Sequence, residues 1–177
     1  MLDKKRLEQF PVFSGIDENQ LESIARHCEV MSITPGMVIV AQDEPAKYLY
    51  GILSGEVELT LTFTYQMLAQ DIQSGKGALA RVKTMQKPVT VDTIVPGEIF
   101  GWSSLLEDGY QSATVSCTKA GEAFFVSADI LKEIFENDSR TGYQVMTRLY
   151  GVVSDRMRNR TYRLVEVWGE SFGMTDL

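Results

Sequence analysis

The chain has 177 residues, with 17 Lys and Arg against 24 Asp and Glu, which gives a formal net charge of −7. This length suits one domain with a sizeable core, and the acidic balance disfavours direct DNA binding, for which a basic surface is needed. No stretch approaches the ~18 apolar residues of a membrane span, and no apolar run follows the basic residues near the N-terminus. We therefore expect a soluble, cytoplasmic protein without membrane contact.

Few residues of the chain are suited to metal binding or catalysis. Cys28 and Cys117 lie far apart and form no CxxC motif, so alone they cannot build an iron–sulfur or zinc site and are expected to be buried thiols. His27 is the single histidine and is expected to close a helix. One histidine and scattered carboxylates offer no nucleophile–base pair, which predicts a protein that is not an enzyme. No cofactor is predicted, except in the alternative of a haem-based gas sensor that uses His27 or a cysteine.

The first elements in chain order are a helix and a series of short strands. Apolar residues recur at helical spacing behind Asp17, an acidic N-cap candidate, which predicts a helix over 18–27. From Glu29 onward the apolar period changes to two, and turn residues at 34–36 and 43–45 separate the runs. This pattern is typical of antiparallel β structure.

The clearest strand runs from Glu56 to Thr64, where apolar and polar residues alternate so that one face is buried. Its partner is expected to begin near Leu79, after a polar stretch at 70–77 that is typical of a hairpin tip or a mobile loop. Further strands are predicted at 89–91, 113–117 and 123–126, with a turn at 119–122 before the last.

Two helices are predicted after the strands. Ser127 is a good N-cap for a helix of about two turns, which is interrupted at 137–139. A long helix then runs from Thr141 to about Trp168, without proline and with apolar residues near an a/d rhythm.

These elements together predict a mainly β protein with flanking helices. Its expected architecture is an antiparallel β jelly roll (double-stranded β-helix) of about eight short strands in two small sheets, followed by a long C-terminal helix. Residues 1–137 would form the jelly roll with its N-terminal helix, residues 138–168 the long helix, and residues 169–177 a tail.

A glycine-bearing motif stands near the middle of the chain, where 96–106 reads Pro-Gly-Glu-Ile-Phe-Gly-Trp-Ser-Ser-Leu-Leu and 111–115 reads Gln-Ser-Ala-Thr-Val. Gly97 and Gly101 let the backbone bend and approach a ligand closely, and Ser103 is placed to cap a helical turn through Leu106. The free N–H groups of such a turn attract anions.

The order of strand, Pro-Gly turn, glycine, short helix and a strand opening with Ser-Ala-Thr-Val resembles the cyclic-nucleotide-binding domain family, which includes catabolite-activator-type sensors. The resemblance extends from Phe13 to about Trp168. It also includes 13–16 (Phe-Ser-Gly-Ile), 35–36 (Pro-Gly), 48–50 (Tyr-Leu-Tyr) and 55–57 (Gly-Glu-Val).

Two positions of the motif differ from the family. The resemblance implies a glutamate that holds the ribose and an arginine nine residues later that neutralises the cyclic phosphate; these positions are Trp102 and Gln111 here. An indole offers no acceptor and a glutamine amide carries no charge. Charged hydrogen bonds are worth ~1.5–3 kcal/mol each, so losing both weakens binding by about two to four powers of ten. A cation such as Arg81, Lys83 or Arg156 would have to compensate.

We therefore expect a non-catalytic ligand-sensing or regulatory domain whose ligand is not standard cAMP, with an unknown small-molecule effector. The ligand would be a different, less charged or aromatic molecule, and the Trp102 indole would serve as a stacking platform for it. The alternative is a structural or adaptor protein whose pocket Trp102 closes and which acts through dimerisation and partner binding. Retained cyclic-nucleotide binding is a further alternative. The expected pocket residues are Phe100, Gly101, Trp102, Ser103, Ser104, Leu105, Gln111, Ser112, Ala113, Thr114 and, as a lid residue, Tyr150.

The long helix is the expected interaction element. The resemblance implies that it packs against its twin in a homodimer, for which Met146, Leu149, Val153 and Leu164 are suited. The basic cluster at 155–163 is interpreted as a solvated helix surface with intrahelical pairs. The nine residues 169–177 cannot form a helix-turn-helix domain, so an effect on transcription would need a partner protein, and a hinge at 137–139 would let the helix move.

Overall fold

The computed structural model describes residues 2–71 and 79–171, so most of the predicted loop at 70–77 and most of the predicted tail lie outside the described residues. The α-helices are α1 (Lys4–Leu7), α2 (Glu18–His27), α3 (Ala128–Asn137) and α4 (Ser139–Ser171), and single 3-10 turns lie at Pro11–Phe13 and Trp102–Leu105. The strands are β1 (Glu29–Ile33), β2 (Val38–Val40), β3 (Tyr48–Asp71), β4 (Leu79–Ile94), β5 (Ile99–Phe100) and β6 (Thr114–Ser127).

Helix α2 has the bounds that the sequence predicts. The Asp17 carboxylate accepts a hydrogen bond of 2.9 Å from the Asn19 backbone N–H, as an N-cap residue does. The short helix α1 and the 3-10 turn at Pro11–Phe13 were not predicted, because four or three residues are too few to show a hydrophobic period.

The strands form one antiparallel arrangement around β3 and β6. The order β1–β6–β3–β4 is the main path, while β2 also pairs with β6 and β5 also pairs with β3. The predicted fold class, an antiparallel β jelly roll with flanking helices and a long C-terminal helix, is confirmed.

The described part of the chain has six strands and not about eight, because β3, β4 and β6 each continue through positions at which the sequence predicts separate strands. The register between β3 and β6 shifts at three places from Ile52 to Val57. Gly55 has φ +83°, and a Cβ on Gly121 would lie 2.1 Å from the Ser54 carbonyl oxygen. The predicted turn at 119–122 is therefore an irregular part of β6, since these glycines allow the strands to bend while they stay paired.

Two apolar clusters form the core. The cluster inside the jelly roll includes Ile52, Val57 and Phe100, all 1% exposed or less. The second cluster lies between the strands and the helices, where Phe124 packs edge-on against Phe10 with ring centroids 4.9 Å apart. This second cluster fixes the inner face of α4 against the β structure.

The hairpin of β3 and β4 extends beyond the rest of the fold. Thr60 is the last residue of β3 that pairs with β6, whereas pairing with β4 continues to Asp71. Phe63 and Met67 on this extension are 53% and 52% exposed. From Leu61 onward the described residues of β3 thus form a two-stranded ribbon with β4 that pairs with no other strand described.

Helix α4 follows α3 after a single residue. The Asp138 carboxylate accepts hydrogen bonds from the backbone N–H groups of Arg140 and Thr141, at 3.1 and 3.3 Å, and from the Thr141 hydroxyl at 3.0 Å. Asp138 thus separates the two helices and caps α4. Among the residues described, no helix combines the length and apolar character needed to cross a membrane.

Candidate functional site

The loop between β4 and the 3-10 turn is held in a conformation that requires glycine. Gly97 and Gly101 have φ of +89° and +80°, where a side chain is strained. A Cβ on Gly101 would also lie 2.7 Å from the Tyr48 carbonyl oxygen. Glycine is therefore the only residue type that fits at position 101, and the backbone leads directly from this residue into Trp102.

The turn after Gly101 is a single 3-10 turn, Trp102–Leu105, and it starts two residues earlier than predicted. Gly101 is its N-cap, so Ser103 lies inside the turn and does not cap it. Ser104 is 2% exposed, and its hydroxyl has no hydrogen-bond partner among the described residues. This turn places Trp102 and Ser103 at the edge of a cleft below α4.

Gln111 lies on the opposite side of this cleft and is fixed by its backbone. Its N–H donates to the Glu44 carbonyl at 2.8 Å, and its carbonyl accepts from the Asp43 N–H at 2.8 Å. Gln111 is 7% exposed. The residue at this position is thus held in the cleft, and it brings an uncharged amide there.

Trp102 is covered by an arginine from the long helix. The Arg156 guanidinium carbon lies 5.0 Å from the centroid of the Trp102 ring, within the range of a cation–π contact. The Arg156 side chain is 11% exposed, and its Nη2 lies 3.8 Å from Glu98 Oε2. Burial lowers the pKa of Arg156, and the charges of Glu98 and Asp92 oppose that shift.

A second arginine of α4 reaches the cleft one turn further on. Arg160 lines it together with Trp102 and Gln111. Its Nη2 lies 3.5 Å from Asp92 Oδ2 on β4. Helix α4 therefore brings one cation, Arg160, into a cleft in which position 111 has none, and places a second, Arg156, against the Trp102 ring at its edge.

The interpretation of the basic cluster as a solvated helix surface is wrong for Arg156, whose side chain is 11% exposed, and holds only in part for Arg160, whose side chain is 37% exposed. It holds for Arg158, which is exposed and pairs with Asp155 at 3.4 Å. The i, i+4 spacing of Arg156 and Arg160 continues the inner face that carries Leu149 and Val152, and this spacing was the available indication. Of the other cations considered, Lys83 is exposed on the ribbon, and the Arg81 side chain lies outside the described residues.

Most of the expected pocket residues come together. The cleft is lined by Phe100, Gly101, Trp102, Ser103, Gln111, Ser112 and Ala113, and also by Leu59, Val115 and Arg160, which were not predicted. Thr114 does not line it; its hydroxyl oxygen accepts from the Gln42 N–H at 3.1 Å. Leu105 packs against the helical cluster, and Ser104 is buried beneath the turn.

The free volume of the cleft is about 20 Å³. This volume holds about one water molecule and is far below the ~300 Å³ at which small-molecule sites begin. Ligand binding in this cleft would thus require α4, which carries Arg156 and Arg160, to move outward.

The outer face of α4 differs from the expected dimer surface. Leu149 is 5% exposed and belongs to the helical cluster, and Val153 is partly buried against it. Tyr150, expected as a lid residue, is 75% exposed on the outer face. That face carries Tyr143, Met146, Tyr150, Met157 and Leu164, which are between 43% and 75% exposed.

The candidates for metal or haem chemistry lie outside the cleft. Both cysteines are buried as predicted, and burial raises the pKa of Cys28 to about 12. His27 is exposed at the end of α2, where its Nδ1 lies 2.9 Å from the Ser23 carbonyl. Within the described ranges, no three His, Cys, Asp or Glu side chains gather where they could hold a metal ion.

Comparisons with known proteins agree with this geometry. Residues 72–138 match the family model described as "Cyclic nucleotide-binding domain". A candidate cyclic nucleotide-binding protein from Geobacter metallireducens GS-15 is 27% identical, with a TM-score of 0.67 over 89% of this chain and 99% of that chain. No curated protein matches the chain.

Two more distant solved structures share the fold. The catabolite activator protein of Thermus thermophilus is 21% identical, with a TM-score of 0.60 over 90% of this chain and 64% of that chain. The c-di-GMP responsive global regulator CLP of Xanthomonas campestris is 16% identical, with a TM-score of 0.62 over 84% of this chain and 63% of that chain.

Proposed function

Because the chain carries a domain of the cyclic-nucleotide-binding family, we propose that it is a non-catalytic ligand sensor whose ligand is not a standard cyclic nucleotide. The observation that carries the proposal is the pair Trp102 and Gln111. Both line the cleft where the family pattern has a carboxylate and a cation, and neither can supply that charge. The CLP regulator, described as c-di-GMP responsive, indicates that this fold is compatible with more than one ligand.

Signalling in this proposal is a population shift of α4. A ligand needs more room than the cleft offers while α4 lies in its present position, so it binds more tightly when α4 lies further out. The junction at Asp138 between α3 and α4 is the position at which the helix can pivot. Moving α4 changes the outer face around Tyr150 and Met157, which in this proposal contacts a second copy of the chain or another protein.

The first experiment is thermal unfolding with cAMP and cGMP. The wild-type midpoint is expected to stay constant up to about 100 μM of either nucleotide. A nucleotide with a Kd of about 1 μM would then be present at 100 times its Kd and would add ~2.7 kcal/mol of stability, which would raise the midpoint. The double variant Trp102→Glu with Gln111→Arg restores the charges of the family pattern. We expect this variant alone to gain a cAMP-dependent rise in midpoint.

The matched control is Trp102→Glu with Tyr110→Arg, which adds the same charges but places the cation on a neighbouring side chain that is 60% exposed. This control should not respond to cAMP. A clear shift of the wild-type midpoint at micromolar cAMP would contradict the proposal, because it would mean that position 111 needs no arginine.

A second candidate function is an adaptor with a permanently closed pocket. The free volume of about 20 Å³ favours it. It predicts that no small molecule stabilises the fold and that the Trp102 side chain contributes to stability as a core residue does. Comparison of Trp102→Ala with Phe100→Ala, described in the Discussion, separates the two candidates.

A further inference from the structure

Arg160, which lines the cleft, and Arg156, which covers Trp102 beside it, have donor groups without partners. Nη1 and Nη2 of Arg156 and Nε of Arg160 are buried, and within residues 2–71 and 79–171 none of them donates a hydrogen bond. A guanidinium has five N–H donors and no acceptor, so each unpartnered nitrogen is an unmet demand for an acceptor. Buried donors of this kind are rare in folded proteins and call for an explanation.

The nearby carboxylates meet this demand incompletely. Glu98 Oε2 lies 3.8 Å from Arg156 Nη2, beyond hydrogen-bond distance, and it already accepts from the Val95 N–H at 2.9 Å. Asp92 Oδ2 lies 3.5 Å from Arg160 Nη2, at the limit of a hydrogen bond. Charge-assisted pairs of guanidinium and carboxylate are normally 2.7–2.9 Å long, so both pairs are loose.

The Trp102 ring does not remove the demand either. It offers its π face to the Arg156 cation, but an indole has no lone pair that accepts from Nη1 or Nη2. A separate recess has a free volume of about 50 Å³ and is lined by Val91, Asp92, Arg156, Asn159 and Arg160. This recess adjoins the cleft through Arg160, which lines both.

We propose that Arg156 and Arg160 form an oxyanion subsite that holds a phosphate or carboxylate group of the effector. This inference rests on the proposed function, since it names the chemical class of ligand for the same cleft. Guanidinium groups bind phosphate and carboxylate oxygens in a bidentate manner, which matches the donors left free on both residues. The cation absent from position 111 is thus supplied by the long helix.

Because the two cations belong to α4, ligand binding would act directly on this helix. An arginine on the strand after the loop would neutralise the ligand without contacting α4. Arg156 and Arg160 instead join the ligand to α4 itself, so binding acts on the element that carries the outer face.

The test uses inorganic phosphate as the probe, at constant ionic strength maintained with potassium chloride, and measures binding by calorimetry and by the unfolding midpoint. The variants are Arg156→Met and Arg160→Met, which keep the apolar stem and remove the charge. The control is Arg158→Met, an arginine of the same helix whose side chain is 60% exposed. A parallel titration with acetate distinguishes a carboxylate from a phosphoryl ligand.

Phosphate or acetate is expected to bind the wild type and Arg158→Met with equal affinity, and at least tenfold more weakly to Arg156→Met and Arg160→Met. Without anion, Arg156→Met should unfold at or above the wild-type temperature, because a poorly paired buried charge has been removed. Arg160→Met should change the unfolding temperature little, because the Arg160 side chain is 37% exposed. If one Met variant does not fold, the corresponding Lys variant replaces it and should show an intermediate loss.

Absence of anion binding to the wild type, or equal binding by all four proteins, would overturn the subsite. The proposed function is judged separately by the cAMP experiment. If Trp102→Glu with Gln111→Arg gains cAMP binding while phosphate does not bind the wild type, only the subsite is wrong. If the wild type binds micromolar cAMP and phosphate binding still depends on Arg156, only the exclusion of cyclic nucleotides is wrong.

Discussion

Phe100 and Trp102 line the same cleft but are held differently. Phe100 is 1% exposed and stacks on Tyr50, with ring centroids 4.8 Å apart and planes inclined by 5°. Trp102 is half-buried and rests against the helical cluster below Arg156. Phe100 is therefore a core residue, whereas Trp102 lies at the mouth of the cleft.

We predict that Phe100→Ala costs about 3–5 kcal/mol of unfolding free energy, the usual range for a buried aromatic side chain, and that Trp102→Ala costs about half as much or less. Urea denaturation of both variants measures the difference. Equal losses would mean that Trp102 is a core plug, and would favour the closed adaptor over the sensor.

The sequence indicates some of the site residues and not others, for a physical reason. Trp102 and Gln111 are found because the loop conformation is local and is set by Gly97 and Gly101. Arg156 and Arg160 are separated from the loop by about fifty residues, and the degree to which each is buried depends on how α4 packs over the loop. The sequence indicated Arg156 only as one of three cations that could compensate, and the cluster that contains both arginines resembled an ordinary charged helix surface.

Asp138 determines where α4 begins. Its carboxylate accepts from the Thr141 hydroxyl and from the backbone N–H groups of Thr141 and Arg140, and these bonds lower its pKa. A depressed pKa in the folded protein means that the stabilisation is present above the ordinary Asp pKa of ~3.9. It is lost as the pH falls through the folded value.

Asp138→Ala is accordingly expected to lower the unfolding midpoint at neutral pH, and the difference from wild type should shrink as the pH falls below the ordinary Asp pKa of ~3.9. Thermal scans across this pH range measure it. Asp155→Ala removes an exposed carboxylate of the same helix, paired with Arg158 at 3.4 Å, and should change the midpoint little at any pH. A pH-independent loss in Asp138→Ala would show that the cap acts without its charge.

The strands show where local patterning fails. Alternation along 56–64 correctly indicates a strand, but it cannot indicate that β3 continues to Asp71 or that β6 runs through 119–122. Glycines such as Gly55 are typical of turns, and in this fold they form bends within strands whose pairing comes from distant residues. Element type is therefore predictable from the sequence, whereas strand length and number are not.

The outer face of α4 is an extended apolar surface in the described part of the chain, and we expect a second copy to cover it. The stripe consists of Tyr143, Met146, Tyr150, Met157 and Leu164, which lie three, four, seven and seven residues apart, in step with a heptad repeat. This stripe differs from the predicted one mainly because Leu149 faces inward. The sequence alone does not show which side chains of α4 contact the core and which remain exposed, because this depends on how the helix packs against the β structure.

We predict that the protein is a dimer at micromolar concentration and that Tyr150→Glu makes it a monomer, since a charge would be buried in the seam. Light scattering coupled to size-exclusion chromatography measures the mass. Tyr110→Glu, which changes a similarly exposed tyrosine away from α4, should leave the dimer intact. A monomeric wild type would remove the long helix as the dimer contact.

The contact between Arg156 and Trp102 also gives the cleft an optical property. The chain has two tryptophans, and Trp168 lies near the end of α4, so Trp168→Phe leaves Trp102 as the only indole. A guanidinium 5.0 Å from the ring alters the field at the chromophore, and its departure exposes the ring to water. The emission of this single indole would therefore follow the position of the long helix in real time, without any attached label.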